Sequence, residues 1–178
     1  RSSDLLVDEM AIYLEAGENT ITLYSITEAT AVCALNFLHV DAIPSYEEYI
    51  KSTEGLENNA KDQIITIQAE DSTLKSSQML YPQQDQSSAA VRPYSAKLLL
   101  NNTIGGNSWR LIGDWLEWEF EVKQSGYYNI ELLCKQNFVK GIYVSRRIMI
   151  DGKVPFEEVI EYGFSYDSTW YYKVLGGK

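Results

Sequence analysis

Gln68 and Glu70 stand two apart in Ile67-Gln-Ala-Glu-Asp71. On an extended strand both oxygen-bearing side chains would leave the same face, at a spacing that can chelate a hard cation. The plainer reading of Glu70 is a solvated acid, or one that bonds a loop. A second group joins aromatic planes to planar polar ends: Tyr94, Trp109, Trp170 and Tyr171 at loops or strand ends, with Asn107, Arg110 and Arg147. A sugar ring has apolar C–H faces that stack on an aromatic plane, and hydroxyls that pair with amides and guanidiniums. A concavity uniting both kinds of group is a general means of holding a small polar ligand. Against this, an indole is more often core than platform. Trp115 and Trp118 are assigned to the core, and Arg146 and Arg147 have many carboxylates with which to pair.

Catalysis finds less support. His39 is the single histidine and lies beside Phe37 in a strand-like run, a structural position, so no Ser or Cys triad is suggested. Neither a phosphate loop nor a Cys/His metal spacing is present. Glu157, Glu158 and Glu161 are the residues that would hydrolyse a glycoside as paired carboxylates, but such acids usually form a solvated face. The chain is therefore expected not to be an enzyme. Cys33 and Cys134 both fall in strand-like runs and are expected as buried free thiols.

Fifteen Lys and Arg against twenty-five Asp and Glu leave a formal charge of −10, with a pI near 4.6. That balance disfavours nucleic acid and anionic membranes, and leaves neutral ligands unpenalised. No apolar run approaches the ~20 residues of a membrane helix. Arg-Ser-Ser-Asp at the start is not a signal peptide, and the opening is expected to be that of a piece from something longer. A chain of 178 residues suits one large β domain and can bury roughly 70% of its unfolded surface.

The elements that would position these groups are mostly strands. Leu116, Trp118, Phe120 and Val122 alternate with Glu117, Glu119 and Glu121; after Lys-Gln-Ser-Gly126, Tyr128, Ile130, Leu132 and Cys134 alternate again. The spacing predicts an antiparallel hairpin with one packed face. Further strands are expected over Thr20 to Ile26, entered through a turn at Gly17 and Asn19, and over Val32 to Val40, Ile64 to Glu70 and Lys97 to Leu100. Ile142 to Asp151 should end in an Asp151-Gly152 turn, and Phe156 to Leu175 should hold two more strands. Arg146 shares a face with Val144, Ile148 and Ile150, so either a bulge re-aims it or a pocket receives it. Ser45 and Glu48 form a capping-box pattern, with Tyr46, Tyr49 and Ile50 on one helical face, predicting a short helix that ends near Gly55. The Ser-, Gln- and Asn-rich run from 71 to 108 is the long polar loop on which sandwiches often carry function.

Ile67-Gln-Ala-Glu-Asp71, Gly113-Asp-Trp-Leu-Glu-Trp-Glu-Phe-Glu-Val122, Ser125-Gly-Tyr-Tyr-Asn-Ile130 and Ile150-Asp-Gly-Lys153, in that order, resemble the family 6 and family 35 carbohydrate-binding modules, jelly-roll β-sandwiches of the galactose-binding-like type. With Asn102-Thr-Ile-Gly-Gly106, Ser145-Arg-Arg147, Pro155-Phe-Glu-Glu158 and Ser168-Thr-Trp170, the stretch from about Ile64 to Leu175 looks more specifically like the modules of extracellular solute-binding proteins of Gram-positive sugar ABC transporters. The resemblance implies an all-β, non-catalytic carbohydrate-binding module, extracellular or at a bacterial cell surface, attached to a larger surface protein. It also implies a structural Ca2+ on Gln68 and Glu70, completed by a loop carbonyl and an Asp of the final strand. Such modules end in a Tyr-Leu-x-x-Gly-x-x-Thr-Ile-x-Leu strand and one more; here that pattern stands at the start, as Tyr13 to Leu23. Residues 1–43 are accordingly expected to close the sandwich of 64–178, in their own chain or exchanged in a strand-swapped homodimer, with 44–63 as helix and linker. Asn36 or Asp41 would then have to complete the metal shell. The alternative is that residues 10–41 end a preceding module. From another class, the alternative function is a structural or interaction sandwich without a sugar.

Overall fold

The alternating segments find partners, though not those nearest in sequence. The computed structural model describes residues 12–26, 31–37, 42–60, 63–138 and 140–175. Contacts divide the chain into two units, residues 6–42 and residues 43–178 with 1–5.

In the smaller unit the expected turn is present. Gly17 takes φ +133°, a value open to glycine, and the Asn19 side chain donates to Glu15 O at 2.9 Å and Gly17 O at 3.2 Å. Described residues 20–26 and 32–37 form no strand, and Leu23, Tyr24, Ile26 and Phe37 are exposed. Residues 38–41, including His39 and Asp41, lie outside the described residues.

The larger unit is all-β apart from one short α-helix and three 3-10 turns, among the described residues. Helix α1, Tyr46–Ser52, starts where the capping box predicts. Ser45 Oγ accepts from Glu48 N, and the Glu48 carboxylate accepts from Ser45 N at 2.9 Å. The Glu158 carboxylate adds a second cap by accepting from Tyr46 N at 3.0 Å, while Tyr46 and Tyr49 pack on the Phe156 ring. Local signals sufficed here because both bonds of the capping box lie within one turn.

Eight strands pair as four antiparallel ladders, each of two strands. Strand β1, Leu74–Lys75, pairs with β4, Leu116–Glu117; β2, Pro82–Gln83, pairs with β3, Thr103–Ile104. The longest ladder joins β5, Glu131–Gln136, to β8, Asp167–Val174; β6, Val144–Arg146, pairs with β7, Tyr162–Phe164. The predicted hairpin of 116–122 with 128–134 therefore does not form. Its first half is taken by β1, extended by Thr73 N to Glu117 O at 2.8 Å, and its second half by β8. Its turn is held elsewhere, with Ser125 O accepting from Asn59 N at 2.8 Å and the Tyr127 hydroxyl donating to Thr53 O at 2.8 Å.

Other expectations divide in the same way. The two strands in 156–175 are β7 and β8, and Asp151-Gly152 turns tightly, at φ +50° and +75°, beneath an Ile150–Lys153 bridge. No strand forms over 64–70, because Asp71 N bonds Gln68 O and winds 69–71 into a 3-10 turn. None forms over 97–100, where the Ser95 hydroxyl accepts from Lys97 N and Leu98 N and curls the chain. Cys33 and Cys134 are free thiols; Cys134 is half-buried, whereas Cys33 is exposed rather than buried. Trp115 is 47% exposed and Trp118 half-buried, so neither is the core indole expected. Among the described residues the buried apolar side chains are Leu80, Val91 and Val159.

Candidate functional site

Two sequence expectations converge on one place. The 3-10 turn of Ala69–Asp71 packs against the β2/β3 ladder, which brings the Gln68–Glu70 pair beside the long polar loop. Together they border an open depression of about 710 Å³, lined by Gln68, Glu70, Asp71, Pro82, Arg92, Pro93 and Asn101. Gln68 remains extended at the N-cap of the turn while Glu70 lies inside it. The two therefore share a cavity without sharing a strand face.

The loop is shaped by Asn102, which is 5% exposed and whose amide is fully used. Its Oδ1 accepts from Asp85 N at 2.8 Å, and its Nδ2 donates to Asp85 O at 2.9 Å and Pro93 O at 3.0 Å. These bonds fix the Arg92–Pro93 segment and present the neighbouring Asn101. Gln83 donates to Gly105 O and Ser108 Oγ, both at 3.2 Å, and so ties the next turn down. Arg92 and Asn101 were missed in the sequence. The signal, an Asn-Asn pair in which one amide is structural and its neighbour is displayed, becomes legible only once Pro93 is known to lie opposite.

Within the depression the side chains of Gln68, Asp71, Arg92 and Asn101 make no hydrogen bond or ion pair with any described residue, in contrast to the committed amides behind them. One carboxylate oxygen of Glu70 is buried without a described partner. Burial first, and then Asp71 beside it, raise the Glu70 carboxyl above its ordinary value, against a lowering bond from its own backbone N–H. The depression thus offers two carboxylates, two amides and one guanidinium around two proline rings.

As a calcium site this set is a partial fit. The orphaned Glu70 oxygen suits a cation, but Ca2+ takes about six to eight oxygens. Among the described residues no group of three His, Cys, Asp or Glu comes together. Asn36 is exposed in the other unit.

The predicted ligand-binding residues are distributed. Asn107, Trp109 and Arg110 occupy one turn, Asn107 and Arg110 exposed. Trp109 is half-buried and engaged: its Nε1 donates to Asp114 O at 2.9 Å, the Arg146 guanidinium lies 4.4 Å from its ring centre, and Arg146 donates to its carbonyl at 2.8 Å. A Cβ on Gly105 would come within 3.2 Å of the Trp109 ring, so glycine is needed for that approach. Arg146 is accordingly received in a pocket, and burial lowers its pKa while Asp114 opposes the change. Arg147, one residue on, is half-buried and has a partner. Tyr94 is exposed and, although it follows Pro93 in sequence, is not among the residues that line the depression.

Trp170 and Tyr171 are successive residues of β8 and point to opposite sheet faces. The Lys135 ammonium lies 4.9 Å from the Trp170 ring centre and also pairs with Asp85, whereas the indole Nε1 has no described acceptor. Tyr171 stands opposite Cys134 and donates to Ser165 O at 3.2 Å; burial, then the Cys134 thiol, push its phenol up to about 12. Glu158 is occupied at the helix cap. Comparison with protein-family models, curated proteins and solved structures found no match.

Proposed function

We propose that the chain is a non-catalytic carbohydrate-binding module of the jelly-roll type, working outside the cell or at a bacterial cell surface as part of a larger sugar-uptake or glycan-processing protein. The observation that carries this reading is the depression at Gln68, Glu70, Arg92 and Asn101, where the side chains of Gln68, Arg92 and Asn101 are uncommitted beside two proline rings. Amides, a guanidinium and a carboxylate are the groups that exchange paired hydrogen bonds with ring hydroxyls. Calcium enters this proposal as a structural ion on Gln68 and Glu70, which would order the 3-10 turn.

A thermal-shift series tests both parts. The protein is melted with EDTA, with Ca2+ restored, and with a panel of plant and host-type oligosaccharides. A ligand at 100 times its Kd adds about 2.7 kcal/mol of native-state stability, which raises Tm measurably. A sugar-dependent rise supports the module, and no response to any sugar in either metal state overturns it.

A second reading, an interaction domain without a sugar, draws on a different observation. Leu98, Leu99, Leu111 and Ile112 are each more than 60% exposed, and among the described residues every ladder has only two strands. Open ladder edges and exposed leucines are what a partner chain covers. Strand exchange involving residues 10–41, which would close the sandwich, belongs to either reading.

A further inference from the structure

We infer that a second depression, which shares no residue with the first, binds an organic ammonium group. It measures about 410 Å³ and is bordered by Tyr49 and Thr53 at the end of α1, Leu56 and Glu57 just beyond it, and the turn at 125–127. These segments are tied together. Asn59 N donates to Ser125 O at 2.8 Å, and Tyr127 N donates to Asn58 Oδ1 at 3.3 Å. Gly126 is needed for that approach, because a Cβ on it would come within 2.5 Å of Ala60 Cβ and 2.7 Å of Asn58 Oδ1. The Tyr127 hydroxyl donates to Thr53 O at 2.8 Å, so its ring spans from the turn to the helix end, while Tyr49 is held against Phe156 at 5.4 Å between ring centres. Two phenol rings are therefore set in place before any ligand arrives.

The charge of the lining selects the occupant. Glu57 is the single charged residue bordering this depression, and it is exposed. One of its oxygens accepts from Asn59 Nδ2 at 3.3 Å, and no lysine or arginine among the described residues pairs with it. A neutral occupant would strip water from that carboxylate and return nothing, and an anion would be repelled by it and by a chain of net charge −10. An ammonium group meets the opposite balance. Its charge pairs with Glu57, its N–H or N–CH3 groups lie on the electron-rich faces of the tyrosines, and its alkyl carbons cover Leu56, which is otherwise 65% exposed.

The test is calorimetric titration of the full chain with choline and with cadaverine, each against a neutral match of the same shape, 3,3-dimethylbutan-1-ol and pentane-1,5-diol. At least one ammonium should bind about tenfold tighter than its match, and the better of the two tells a quaternary from a primary amine. Glu57→Gln, at an exposed side chain, should weaken that ligand about tenfold. Tyr127→Leu should weaken it as well, with circular dichroism verifying that the variant is folded. Glu119→Gln makes the same charge change at an exposed position outside the depression and should leave Kd within about twofold. Equal binding of both ammoniums and their neutral matches, equal losses from Glu57→Gln and Glu119→Gln, or no heat from either ammonium would overturn the inference. None of these outcomes bears on sugar binding at the first depression.

Discussion

Glu70 and Asp85 are two carboxylates whose surroundings push them in opposite directions, and the acid limb of stability should separate them. Burial and the neighbouring Asp71 raise Glu70 above its ordinary 4.5. Its protonated form is then favoured by folding: that contribution is complete below 4.5 and is lost as pH rises through the folded value. For Asp85 burial also acts upward, but hydrogen bonds from Lys135 and Ser87 outweigh it and hold the carboxyl at about 2, below the ordinary 3.8. Its contribution is present above 3.8 and is lost as pH falls toward 2. Glu70→Gln is therefore expected to raise Tm at neutral pH and to give no gain below about pH 4, whereas Asp85→Asn should lower Tm at neutral pH and converge with the parent near about pH 2. Calorimetric melts across that range check both. A site residue whose removal stabilises the fold is one retained for something other than stability.

At the scale of elements, α1 offers a clean measurement, because its capping box is complete and confined to Ser45 and Glu48. Ser45→Ala should cost about 1 kcal/mol, within the usual range for a lost N-cap. Faster hydrogen exchange at Glu48 N than at the β5/β8 amides would localise the effect. The same element marks how much of the fold the sequence disclosed. Ser45 with Glu48, Asp151 with Gly152, and Gly17 with Asn19 were legible because donor and acceptor lie within four residues of each other. Alternation in Leu116 to Val122 and in Tyr128 to Cys134 is realised as strand only at Leu116–Glu117 and from Glu131 onward, and it carries no label for the partner, so β1 and β8 took those two pieces. The candidate site was half legible for that reason. Gln68 and Glu70 stood out by spacing, whereas Arg92 and Asn101 join them only through the β2/β3 ladder and the Asn102 amide.

At the largest scale, the shortage of buried apolar side chains among the described residues sets the expectation. Leu80, Val91 and Val159 are a small core, while Leu99, Leu111, Ile112 and Tyr143 remain exposed. Hydrophobic burial is the main favourable term in folding, so side chains left in water are stabilisation still to be gained by association. Sedimentation velocity over a wide concentration range should show reversible self-association, and Tm should rise with protein concentration. A single monomeric species with a concentration-independent Tm would remove the exchanged-strand proposal.

Trp118 donates its indole N–H to Ala69 O at 3.0 Å, the carbonyl immediately before Glu70. The depression is therefore wired to a fluorophore. Any occupant that shifts the 3-10 turn must alter the bond on that indole, and with it the colour and intensity of its emission, so the protein carries a built-in optical gauge of its own occupancy. Trp118→Phe, which leaves Trp109, Trp115 and Trp170 in place, gives the matched blank.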